Sequence, residues 1–140
     1  MALESAASDA LRIAVGLVWF EGEILIARRH AAAHQGSKWE FPGGKMNAGE
    51  SAYAAVIREL MEETGLAVAP QRVRRTIHHA YPDRLVELVV IDCEASSKAA
   101  QPLGSAEVRW VSPAELSNYD FPAANQTLLA ELQAEPIRER

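Results

Sequence analysis

Three glutamates, Glu59, Glu62 and Glu63, crowd one stretch of the chain whose spacing predicts a helix. At 3.6 residues per turn their side chains fall within an arc of roughly 100°. Like charges so placed weaken a helix unless cations sit between them. A divalent ion resolves the conflict. Carboxylate oxygens are hard ligands suited to Mg²⁺ or Mn²⁺, and Mg²⁺ takes only a few of them, completing its shell with water and substrate phosphate. The chemistry within reach is metal-assisted work on a polyphosphate. A solvated helix face is the ordinary explanation of Glu62 and Glu63 taken alone, so the surrounding residues decide.

The elements that must position these acids follow from periodicity and breakers. A helix is expected over residues 51–64, ended by Gly65, with Tyr53, Ala54, Ile57, Leu60 and Met61 as its core face opposite the acids. Pro42, Gly43 and Gly44 are expected to stop any regular element before it. Residues 13–20 and 24–27 are apolar and flank Glu21-Gly22, a hairpin pattern. Residues 28–38 have no steady period and predict a surface loop, with Arg28 and Arg29 at its root. Extended segments over 66–69 and 73–80, a turn at Tyr81-Pro82-Asp83-Arg84 and a strand over 85–91 make a second hairpin. A loop over 95–105, a strand over 107–111, a helical turn at Ser112-Pro113-Ala114-Glu115 and a last helix over 122–133 complete an α+β pattern, a mixed sheet with helices packed on it.

With 140 residues, 49% hydrophobic and 24% charged, the chain has the composition of one globular domain spanning 1–140, with 1–11 expected as a flexible tail. The 19 acidic against 14 basic residues give a net charge of -5, which disfavours capture of duplex nucleic acid. The single cysteine, Cys93, excludes a disulfide scaffold and a structural zinc site, and fits a reducing cytoplasm. No basic flank precedes the apolar run 13–20, and that run is too short to span a bilayer, so neither a secretory signal nor a membrane anchor is expected. His30, His34, His78 and His79 form no convincing ligand set, and Cys93 fits a small strand residue.

Gly44, five residues, Glu50, seven residues, Arg58-Glu59-Leu60, one residue, Glu62-Glu63, one residue and Gly65-Leu66 match every fixed position of the Nudix box. The chain therefore resembles the Nudix hydrolases, which cleave nucleoside diphosphates linked to another moiety. The resemblance implies an α/β/α sandwich with a mixed sheet between helices. It also implies metal ligation by Glu59, Glu62 and Glu63, with Glu50 adding a ligand through water and Gly43 and Gly44 letting backbone approach metal or phosphate. Catalytic roles fall by the same resemblance to Glu59, as the residue that helps activate water, and to Arg58, which orients it by an ion pair. Mg²⁺ is the implied cofactor, with Mn²⁺ as a substitute.

Trp39-Glu40-Phe41-Pro42-Gly43-Gly44-Lys45, Tyr81-Pro82-Asp83-Arg84 and Asp120-Phe121-Pro122-Ala123-Ala124-Asn125 extend the similarity to the MutT branch of that family, which hydrolyses oxidised purine nucleoside triphosphates such as 8-oxo-dGTP. By that resemblance Asn125 reads the base edge, Phe41 and the Tyr81 to Arg84 turn with Asp83 line the nucleotide pocket, Arg29 meets phosphate, and Lys45 joins the substrate-binding set. An amide is suited to reading such an edge, because its NH₂ reaches a purine O6 while its carbonyl accepts from a protonated N7, which 8-oxoguanine has and guanine lacks. Plainer roles stay open. Trp39 and Phe41 also fit core aromatics, Asn125 a helix cap, Arg29 and Lys45 surface cations, and Asp83-Arg84 hairpin residues. One departure stands out: many family members carry a further acidic ligand about six positions before the tryptophan matching Trp110, where this chain has Gly104. Glu107 lies nearby, as a substitute or as an exposed strand acid. Modified pyrimidine nucleoside triphosphates and a non-catalytic module that binds oxidised guanine are the alternatives.

Overall fold

The computed structural model describes residues 10–33 and 36–135; His34 and most of the expected tail lie outside them. Strand β1 (Leu11–Phe20) is the spine. It pairs antiparallel with β2 (Glu23–Arg28) and β4 (Gly43–Lys45) and parallel with β6 (Arg84–Ala95). With β3 (Trp39–Glu40), β5 (Val68–Tyr81) and β7 (Glu107–Val111) they form one mixed sheet, ordered β3-β2-β1-β6-β5, with β4 on β1 and β7 on β2. Glu21 (φ 51) and Gly22 (φ 82) close the first hairpin in a left-handed turn that matches strand twist.

Both faces of β1 are covered, so it reads as a nearly unbroken apolar run. Ala14 and Val18 pack with Ala55, Val56 and Leu60 of helix α1 (Ala52–Thr64). Val15, Leu17 and Trp19 pack with Leu128, Leu129 and Leu132 of α2 (Gln126–Ala134) on the other side. This is the expected layered α+β sandwich. Ser51 Oγ accepts from the Ala54 amide at 3.1 Å, and Gly65 at φ 74 donates to Met61 O, so α1 starts and stops where expected.

Three expectations are corrected. Gly43 and Gly44 do not end regular structure; they lie in β4, which their missing side chains let close on β1. A Cβ on Gly43 would stand 2.1 Å from the Ala14 carbonyl oxygen. The core face of α1 is Ala55, Val56, Leu60 and Thr64, while Tyr53, Ile57 and Met61 are exposed. Small residues fit the close approach to the sheet that bulky ones would block, so the buried face is not the most apolar one. The last helix is split: residues 123–125 form a tight 3₁₀ turn before α2.

A buried ion network locks β5 and β6 to α2. Asp92 is 2% exposed and accepts from Trp19 Nε1 at 3.1 Å, Arg72 Nε at 2.9 Å and Arg74 Nε at 3.1 Å. Arg74, similarly enclosed, also pairs with Glu131 and Glu135. Asp92→Ala takes the shared acceptor from Trp19 Nε1 and Arg74 Nε and leaves the guanidinium only Glu131 and Glu135, and unfolding in urea should show a loss of about 2–4 kcal/mol. A loss under about 1 kcal/mol would mean that solvent reaches Arg74 freely.

Candidate active site

Arg58 is the node of the acidic cluster. Its Nε and Nη2 grip Glu50 side-on at 2.8 and 2.9 Å, and Nη1 donates to Glu59 at 2.8 Å and to Glu62 at 3.4 Å. Nη2 also reaches the Lys45 carbonyl oxygen at 3.0 Å, so one side chain ties the loop before α1 to the helix. Hydrogen bonds from Arg58, then from the Asn47 amide, hold the Glu50 carboxyl at about 2. The expected Arg58–Glu59 pair is present. Glu50 is the partner not anticipated, and its carboxylate is engaged by Arg58 and Asn47.

Helix α1 turns Glu59 and Glu63 toward the sheet, on the side that carries its small core residues. Glu59 lies against Gly44, where a Cβ would stand 2.3 Å from its carboxyl carbon. Burial first, then the charges of Glu59 and Glu40, push the Glu63 carboxyl up to about 7, against the opposing hydrogen bond from the Gly43 backbone. Glu62 instead points outward with a 59% exposed side chain. Among the described residues no three His, Cys, Asp or Glu side chains are gathered into a metal-holding group. The donor set nevertheless fits a hard cation: carboxylate oxygens from successive turns, one of them, Glu63, disfavoured as an anion by burial and by the neighbouring Glu59 and Glu40.

Beside this cluster opens a cavity of about 860 Å³, a size suited to a small ligand. Its floor is apolar and follows from strand alternation. Leu11, Ile13 and Val15 of β1 and Val86 and Leu88 of β6 lie on one face, in register as Leu11↔Val86 and Ile13↔Leu88. Glu59, Glu63, Gly43, Gly44 and Lys45 line one end. Arg29 and Glu40 line it as a pair, Nη1 to Oε1 at 3.0 Å. Asp83 and Arg84 come from the β5–β6 hairpin, and Pro122, Ala124 and Asn125 from the segment entering α2. Asn125 occupies the N-cap position of α2 yet makes no side-chain capping hydrogen bond, so its amide is available to the cavity.

The NUDIX domain pattern matches residues 14–131, most of the chain. The chain belongs to the Nudix family. It is 38% identical over 129 residues to the 8-oxo-dGTP diphosphatase of Escherichia coli, covering 88% of this chain and 96% of that one. It is 27% identical over 124 residues to the CTP pyrophosphohydrolase of the same organism, covering 89% and 92%. Among solved structures, the MutT protein of Methanosarcina mazei superposes with a TM-score of 0.78 at 26% identity, covering 88% of this chain and 92% of that one. A MutT structure from work on Aliivibrio salmonicida and Vibrio cholerae superposes at 0.72 with 31% identity, covering 89% and 98%.

Within this Nudix site, several residues have plainer places. Trp39 is a core aromatic, edge-on to Tyr119 at 5.0 Å, whereas Phe41 is both buried against Phe121 at 5.1 Å and part of the cavity wall. Glu107 is held in β7 by Arg109 at 2.6 Å and Arg28 at 3.3 Å, as a strand acid. Gly104 lies over the end of α1, donating to the Glu63 carbonyl oxygen at 3.1 Å, and a Cβ there would stand 3.2 Å from Glu63 Cγ. Cys93 is a buried strand residue whose thiol burial pushes up to about 12. His30 is exposed and His78 faces Glu87 at 3.4 Å, but His79 lines the cavity. Sequence reasoning passed over His79 and the apolar floor. Strand alternation, once register is known, is the signal that finds both.

Proposed function

We propose that the chain hydrolyses oxidised purine nucleoside triphosphates, converting 8-oxo-dGTP to 8-oxo-dGMP and pyrophosphate with Mg²⁺, and so keeps damaged nucleotides out of DNA synthesis. The observation that carries this is that one cavity is lined by both the non-capping Asn125 and the crowded Glu59 and Glu63. The 38% identity to a diphosphatase of that substrate supports it. Glu59, Glu62 and Glu63, with Glu50 and the Gly43 backbone, are the residues that would hold Mg²⁺. When bound, the cation neutralises phosphate charge and lowers the pKa of an attacking water.

The chain's own groups do the rest. Arg58 fixes Glu59 in place to accept a proton. Glu40 holds Arg29 at the cavity wall to meet phosphate, with Lys45 adding a second cation. The apolar floor and Phe41 take the flat faces of the base, and Asn125 reads its edge. Asp83 and Arg84 offer polar groups to the sugar side. The chain's single buried cysteine accords with a reducing cytoplasm.

With Mg²⁺, native protein should turn over 8-oxo-dGTP far faster than dGTP, and Asn125→Ala should shrink that preference by roughly ten-fold to a hundred-fold. The ratio of kcat/KM values on the two nucleotides reads it. Equal rates in the native protein would reject the base specificity and spare the reaction class. Faster turnover of a modified CTP would favour the pyrimidine alternative, for which the 27% identity to a CTP pyrophosphohydrolase is the weaker support. The intact Arg58–Glu59 pair speaks against a silent binding module.

A further inference from the structure

His79 and Tyr81 sit two residues apart on β5, so their side chains share one face of the sheet. Both line the cavity, and their rings meet edge to face, with centroids 4.4 Å apart and planes at 67°. Their cross-strand partners are Val86 and Arg84, and each of those lines the cavity too. Ile77, the next residue inward on that face, packs against the core that α2 covers. Tyr81 is thus the last rung before the Pro82-Asp83 turn, with Arg84 across the ladder and the rest of the face on its inward side. The ring on that inward side is His79.

We propose that His79 is a positioning residue for the nucleoside part of the substrate. Its imidazole ring fixes the Tyr81 ring as a wall against base and sugar. The phosphates are handled elsewhere, at the end lined by Glu59, Glu63 and Lys45. The proposal rests on the reading that this cavity takes a nucleoside triphosphate. An aromatic ring at position 79 is the requirement, because an edge-to-face pair stabilises through ring quadrupoles and shape rather than through a proton.

The test compares two probes that divide the substrate: 8-oxo-dGMP for the nucleoside part and inorganic pyrophosphate for the phosphate part. His79→Ala should weaken 8-oxo-dGMP binding about five-fold, raise KM for the triphosphate to a similar degree with kcat retained, and leave pyrophosphate inhibition as in the native protein. His79→Phe should restore the mononucleotide affinity. In a Tyr81→Ala background the His79→Ala effect should vanish, since the two residues act through one contact. Unchanged 8-oxo-dGMP affinity in His79→Ala, equal weakening of both probes, or full additivity with Tyr81→Ala would each overturn the proposal. A native protein that ignored 8-oxo-dGMP but bound dCMP would sink the purine reading instead, and the wall would then be judged on dCMP by the same comparison.

Discussion

Glu59→Gln is expected to lower kcat on 8-oxo-dGTP by roughly 10²-fold or more, while the unfolding midpoint stays close to that of the native protein. The glutamine keeps the volume and the place beside Gly44 but loses what the chemistry needs. An amide neither takes a proton at neutral pH nor supplies the charge of a carboxylate ligand. It still offers an oxygen to Arg58 Nη1, which now donates to Glu59 at 2.8 Å, so the geometry of the node survives. Steady-state kinetics across a Mg²⁺ titration is the measurement. A variant within a few-fold of native kcat at saturating Mg²⁺ would remove Glu59 from the catalytic centre and shift attention to Glu63.

How much of this site was legible in the sequence differs by feature, for physical reasons. The bounds of α1 were readable because a serine cap and a left-handed glycine are local devices. Its buried face was not. Tyr53, Ile57 and Met61 form a more apolar stripe than Ala55 and Val56, yet helix and sheet approach closely at Gly16, where a Cβ would stand 3.0 Å from Leu60 and 3.1 Å from Val56. Close packing there selects small side chains over large ones. The acids moved with that face: Glu59 and Glu63 lie beside the core and Glu62 points out, which explains how Glu63 comes to be desolvated. Arg58 was assigned Glu59, but its side-on grip on Glu50 depends on how the loop before α1 folds back. Likewise Asn125 was recognisable as cap or reader, and that its side chain makes no capping bond depends on the fold around it rather than on local sequence.

The same geometry makes Gly44→Ala as damaging to activity as losing the glutamate itself. A Cβ at this position would lie 2.3 Å from both Cδ and Oε1 of Glu59 and 2.6 Å from Oε2. The backbone at Gly44 lies outside the left-handed region, so alanine brings no conformational strain of its own. What must give is the far end of a flexible side chain, and swinging it aside takes the carboxylate out of its 2.8 Å contact with Arg58. At Gly43 the added methyl would instead strike the Ala14 carbonyl oxygen and Val15 Cα, fixed backbone atoms of β1, and would break the β4–β1 pairing. Gly44→Ala should therefore fold with a stability within about 1 kcal/mol of native and lose roughly 10²-fold in kcat. Chemical denaturation and turnover on 8-oxo-dGTP, measured on the same preparation, separate the two effects. Near-native turnover would mean that Glu59 works from a different position than the one pressed against this glycine.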